Sequence, residues 1–171
     1  LPGDDGVTTA ISGLDISTTT ATVAENTANT TPVNLFQGFT TVFYAVPPAP
    51  NADDVTLRFT LADATASDAF VLKPGNSYEI TNYGDLMHGA TKIGYASGYG
   101  TGSVTIYFDP TASGTDVFNI IRYTGYKSFS DDPPAGERTI TVQIDQPGQP
   151  AITDTVALPA TAEHDAPTSA T

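Results

Sequence analysis

Apolar and polar residues alternate with a period of two along most of this chain, the spacing of strands whose side chains point to opposite faces. In Val55-Thr56-Leu57-Arg58-Phe59-Thr60-Leu61 the alternation is strict: Val55, Leu57, Phe59 and Leu61 face inward, while Thr56, Arg58 and Thr60 face solvent. Thr139-Ile140-Thr141-Val142-Gln143-Ile144 repeats the pattern. Gly, Pro, Asn and Asp break it roughly every eight to twelve residues, the rhythm of an all-β sandwich. The pattern predicts strands over 20–24, 33–36, 41–46, 55–61, 69–72, 77–80, 103–108, 118–123, 139–144 and 153–158. Thr, Val, Ile, Tyr and Phe dominate them, the residue types that suit a pleated, half-buried surface. A single helical turn is the alternative near Thr115-Asp116-Val117-Phe118, which opens with a capping-type Thr.

Three segments follow from the same pass. Residues 1–19 are small and polar and read as a linker with a short first strand, 20–158 as the sandwich, and 159–171, rich in Ala, Thr and Pro, as a second linker. Within the sandwich, residues 82–102 stand apart, because Tyr and Gly alternate there with little apolar content. That suits a long surface loop or flap, and loops of this length in a compact domain are usually functional or mobile. Leu1-Pro2-Gly3-Asp4-Asp5-Gly6 has neither a basic start nor an apolar core, so no signal peptide is read there, and a start at Leu suggests a fragment.

Composition narrows the chemistry. The chain has 171 residues, with 6 Lys plus Arg against 19 Asp plus Glu and a net charge of -13. Six scattered cations cannot form the stripe that nucleic acid or an anionic membrane surface requires. No apolar run approaches the roughly 20 residues of a spanning helix. There is no cysteine, which excludes disulfides, thiol catalysis and Cys-type zinc sites. With 39% hydrophobic residues, 8 Phe and 8 Tyr, the chain can bury a core.

The acidic residues gather at predicted strand ends. Glu25 and Asn26 follow one strand, Asp53 and Asp54 precede another, Asp131 and Asp132 stand before two prolines, Asp145 closes a strand, and Asp165 lies near the C-terminus. A calcium ion takes about six to eight oxygens from such groups. The plainer reading is that they form turns and keep the surface solvated. Tyr83, Tyr95 and Tyr99, with Asp85 and His88, make the Tyr/Gly stretch a candidate recognition surface, since Tyr offers rigid amphipathic contact area and Gly an adaptable backbone. Its plainer reading is a loop whose tyrosines pack on the sandwich edge. Arg138 reads as a structural ion pair with Glu137, Asp131 or Asp132.

The run Tyr123-Thr124-Gly125-Tyr126-Lys127-Ser128-Phe129-Ser130-Asp131-Asp132-Pro133-Pro134-Ala135-Gly136-Glu137-Arg138-Thr139-Ile140-Thr141-Val142 resembles a signature of cadherin-like repeats in large bacterial adhesins of the RTX type. Asn51-Ala52-Asp53-Asp54, Glu25-Asn26-Thr27 and His164-Asp165-Ala166-Pro167 resemble other turns of those repeats, in the right order. So does Thr101-Gly102-Ser103-Val104-Thr105-Ile106 with the stretch after Val117. His164 replaces the usual Asn, Tyr107-Phe108 replaces the usual Thr-Gly, and an ordinary repeat has nothing like residues 77–102. The resemblance implies a Greek-key, cadherin- or immunoglobulin-like sandwich that binds calcium and sits in a long, secreted or surface-held chain beside further domains. The added Tyr/Gly stretch points to the ligand-binding member of such adhesins, recognising a peptide or protein terminus on another cell surface.

Two rivals remain open on the sequence. One is a structural extender repeat that calcium rigidifies, and the other is a carbohydrate-binding module in which the tyrosines stack on sugar faces. No nucleophile elbow, zinc-protease helix or phosphate loop is found. The acidic pairs are sequence neighbours that point to opposite faces of a strand, so the expectation is a non-enzyme.

Overall fold

A computed structural model describes residues 10–15, 23–24, 32–34, 36, 40–44, 55–130, 136–147 and 150–161. The fold is an all-β sandwich. Its strands are β1 (Ala10–Asp15), β2 (Val23–Ala24), β3 (Val33–Asn34), β4 (Thr40–Tyr44), β5 (Thr56–Leu61), β6 (Asp68–Leu72), β7 (Tyr78–Ile80), β8 (Asp85–His88), β9 (Thr91–Ser97), β10 (Ser103–Phe108), β11 (Thr124–Ser128), β12 (Gly136–Asp145) and β13 (Ile152–Thr161). One helix, α1 (Gly114–Tyr123), lies between β10 and β11. The larger sheet runs β2-β13-β12-β5-β10-β9-β8-β7, with β2 parallel to β13 and every other pair antiparallel. A three-stranded sheet, β3-β11-β6, and the β1-β4 pair complete the described strands.

The two strictly alternating strands sit at the centre. Leu57 and Phe59 of β5 and Ile140, Val142 and Ile144 of β12 are fully buried, and Arg58 between them is exposed. Phe59 bridges to Phe36 and to Phe70 of the small sheet, with ring centroids 5.7 and 5.9 Å apart. Burial on both sides of this aromatic contact holds the layers together.

Two sequence expectations are corrected. The segment 82–102 is not a loop: it supplies β8, β9 and their turns, and extends the large sheet by a meander. Its glycines serve close packing. A Cβ on Gly94 would stand 2.4 Å from the Tyr107 carbonyl oxygen, so β9 and β10 approach there as no other residue permits. Residues 118–123 are helix rather than strand. The helical turn read near Thr115 is real, but its cap is Ser113, whose hydroxyl accepts from the Asp116 N–H while the Asp116 carboxylate accepts from the Ser113 N–H. That reciprocal box fixes a start from which Val117, Ile120 and Ile121 share one buried face. A continuous apolar run leaves the period undetermined, and the cap decides it.

The short first strand expected in residues 1–19 is β1, which pairs with β4. β13 carries the sandwich to Thr161, beyond the boundary expected at residue 158.

Candidate functional site

Of the eight predicted calcium ligands, only Asp145 lies among the described residues; Glu25, Asn26, Asp53, Asp54, Asp131, Asp132 and Asp165 lie outside them. The described strand ends that adjoin them fall at two poles. Ala24 pairs with Thr161, and Gly136, where β12 begins, pairs with Ala160. At the opposite end, Asp145 is the register partner of Thr56, at the start of β5. The Asp145 carboxylate accepts from the Gln143 amide at 3.1 and 2.9 Å. Among the described residues no three His, Asp or Glu side chains gather to hold a metal ion.

The outward face of the large sheet carries the predicted recognition residues in part. Along one row, Asp85 of β8, Tyr95 of β9, Tyr107 of β10, Thr56 of β5 and Asp145 of β12 are successive partners. The next row is Ser97, Thr105, Arg58, Gln143 and Thr153. Tyr95 and Tyr107 are 44% and 48% exposed, although they are directly opposed on a sheet whose other face is core. The ring of Tyr95 lies across Gly84, where an added Cβ would come within 2.6 Å of Cε2, and Tyr83 beside that glycine is 88% exposed. Lys92 Nζ meets Asp85 Oδ1 at 2.8 Å, and that carboxylate pushes the ammonium pKa up. Arg58 has its Nε 3.4 Å from Thr105 Oγ1 and no ion pair among the described residues.

Tyr99 and His88 are placed elsewhere. The Tyr99 hydroxyl accepts from the Leu72 N–H at 3.1 Å, which fastens the β9–β10 turn to the outer edge of β6; burial pushes this phenol up. His88 is on the inner face of β8, stacked on Tyr78 with centroids 4.4 Å apart and Nδ1 3.0 Å from Asp116 Oδ1. Tyr78 donates to the same oxygen at 2.8 Å, and the Asn119 amide donates to Tyr78 at 3.1 Å. Burial, assisted by the neighbouring carboxylate and opposed by the Asn119 hydrogen bond, pushes the Tyr78 hydroxyl up to about 12. Asp116 therefore caps α1 and ties it to β7 and β8 at once. Asp116→Ala removes a cap and leaves a buried phenol short of its acceptor, and is expected to cost about 2 kcal/mol. A thermal melt showing a loss below about 0.5 kcal/mol, the range of ordinary surface changes, would refute that role.

Arg138 forms an ion pair, but its partner is Asp68 and not the acidic neighbours in sequence. Nη1 and Nη2 reach Oδ2 and Oδ1 at 2.8 and 3.0 Å, and both side chains are buried. Tyr126 donates to Asp68, and Arg138 Nη2 donates to Tyr126 at 3.1 Å. This is a buried structural cluster away from the tyrosine face, in which Arg138 Nε has no hydrogen-bond partner. Sequence reasoning missed Tyr107 and Arg58 as site residues, though the period-two pattern already turns Arg58 outward. Their company with Tyr95 depends on strand register, which no local pattern carries. No family model, curated protein or solved structure matches the chain.

Proposed function

We propose that the chain is a non-catalytic, calcium-dependent recognition module of an extracellular, adhesin-type protein, holding its ligand on the outward face of the large sheet. The observation that carries this reading is the exposed, directly opposed pair Tyr95 and Tyr107, with Tyr83 close by. Large apolar groups grouped on an otherwise polar face signify contact with something. The sheet beneath makes the platform rigid, so binding spends little conformational entropy. Calcium is supported by the charge of -13 and by the motif resemblance.

Calorimetric titration of peptide and glycan panels, in calcium and then in chelator, tests the proposal. Each aromatic contact contributes about 0.5–1.5 kcal/mol beyond its buried area, so Tyr95→Ala with Tyr107→Ala is expected to weaken binding at least about tenfold in a sheet that circular dichroism still shows folded, at a melting temperature lowered by the lost cross-strand pair. Chelation is expected to lower the melting temperature by about 2–4 °C for each site worth about 1 kcal/mol. An unchanged melting temperature in chelator removes calcium from the reading. Full calcium-linked stability with no binding to either panel leaves an extender repeat.

A further inference from the structure

We infer that the ligand of this face is a saccharide that carries a single carboxylated sugar, with Tyr95 and Tyr107 against the sugar rings and Arg58 on the carboxylate. This rests on the reading above that the outward face is the binding surface.

The first argument is what the face offers. Peptides are commonly captured by adding a strand to a free sheet edge, by seating a helix or polyproline segment in a groove, or by filling side-chain pockets. β9, β10 and β5 are interior strands, each paired on both sides, so their backbones have no free row of donors and acceptors. One cavity among the described residues opens elsewhere, lined by Phe59, Phe70, Leu72, Ile80, Tyr99 and Ile106. The face presents side chains alone: two phenol rings with the Thr56 hydroxyl in their row, then the hydroxyls of Ser97, Thr105, Ser103 and Thr60 on the rows beyond. A pyranose has the matching surface, with a C–H face for an aromatic ring and hydroxyls around its rim.

The second argument is charge. The described structure leaves Arg58 without an ion pair, although the chain carries 19 acidic residues. The carboxylate diagonal to it on the next strand, Asp145, already accepts from the Gln143 amide, and Asp85, three strands away, is paired with Lys92 at 2.8 Å. Arg58 is exposed, one strand over from Tyr107 and two residues along from Thr56, the partner of that tyrosine. Such diagonal neighbours stand about 7–8 Å apart, within reach of a guanidinium on its flexible stem. A planar fork of donors suits a carboxylate, which it grips through two parallel hydrogen bonds. The overall charge of -13 works against any ligand with repeated anionic groups, so one acid on a neutral chain is the complement.

The experiment is titration of the intact chain with matched oligosaccharides: a neutral one, its twin ending in one uronic acid, and a polyuronate, beside a peptide with a free C-terminus. The acidic twin is expected to bind about tenfold more tightly than the neutral one, the worth of a charge-assisted hydrogen-bond pair. Arg58→Gln is expected to erase that difference and keep the neutral binding, while Tyr95→Ala with Tyr107→Ala removes both. The polyuronate is expected to bind more weakly than the acidic twin. Equal affinity for the twins, or an Arg58→Gln variant that preserves the difference, overturns the carboxylate assignment and leaves the recognition face standing. Peptide binding that is lost in the tyrosine variants overturns the saccharide. Binding of any ligand that survives the tyrosine variants, or no binding at all, overturns the recognition face with it.

Discussion

Arg138→Ala is expected to cost about 3–5 kcal/mol, the usual effect of removing one partner from a buried ion pair. For a domain of this size that lowers the melting temperature by about 10 °C. The reason is the charge left behind: Asp68 is 1% exposed and would keep only the Thr65 and Tyr126 donors. Burial alone would raise the Asp68 carboxyl. The Arg138 hydrogen bonds, joined by Thr65, Tyr126 and the guanidinium charge, outweigh it and hold the pKa down at about 2 against an ordinary 3.8. A lowered folded pKa contributes stability that is complete above the unfolded value and is lost as pH falls through the folded one. The cluster is therefore expected to be neutral toward pH between 5 and 8 and to give up about 2 kcal/mol between pH 4 and pH 2. Arg138→Ala should flatten that acid limb, because the partner that depresses the pKa is gone. Arg138→Met with Asp68→Leu and Tyr126→Phe should recover most of the loss, since neither a charge nor an unpaired phenol remains buried. Urea titrations at pH 7 and pH 3 read both effects, and a single variant within about 1 kcal/mol of the parent would show that the pair holds nothing.

That cluster marks where the sequence stops being readable. Asp68 and Arg138 are 70 positions apart, and the nearer candidates Glu137, Asp131 and Asp132 looked equally suitable along the chain. What was legible is local: Leu57, Phe59 and Leu61 inward, Arg58 outward, and the same alternation from Ile140 to Ile144. Period and burial are both local properties, so β5 and β12 stand where the alternation put them. Residues 82–102 misled because glycine has two meanings. It marks turns, and it also marks places where backbones close to less than a side chain's width. β11 was invisible for a related reason, since Thr-Gly-Tyr-Lys-Ser carries no alternation although Thr124, Tyr126 and Ser128 are buried. In the candidate site, Tyr83, Tyr95 and Asp85 do collect on one side. His88 and Tyr99 are drawn off by partners that only the tertiary structure supplies, Asp116 for one and the Leu72 backbone for the other.

Gly94→Val should part β9 from β10, at a cost of about 3 kcal/mol. Its Cβ would meet the Tyr107 carbonyl oxygen at 2.4 Å and the Phe108 Cα at 3.2 Å, both backbone atoms that no rotamer change can move. β10 cannot retreat, because its other edge is paired with β5 from Ser103 to Tyr107. β9 has to lift away instead, which breaks the ladder that sets Tyr95 opposite Tyr107. On its other edge β9 pairs with β8 through a register irregularity between Leu86 and Met87. Gly89→Ala is the control for strain without a clash: its φ is +59°, nothing lies within 4 Å of the added Cβ, and the cost is expected to be about 1–2 kcal/mol. The two variants also part in binding. Gly89→Ala leaves the tyrosine pair in register and should keep full affinity below its melting temperature. Gly94→Val should lose affinity even where circular dichroism shows a folded sheet, because its damage lies between the two rings. Equal affinities in the two folded variants would mean that the Tyr95–Tyr107 register has no part in recognition.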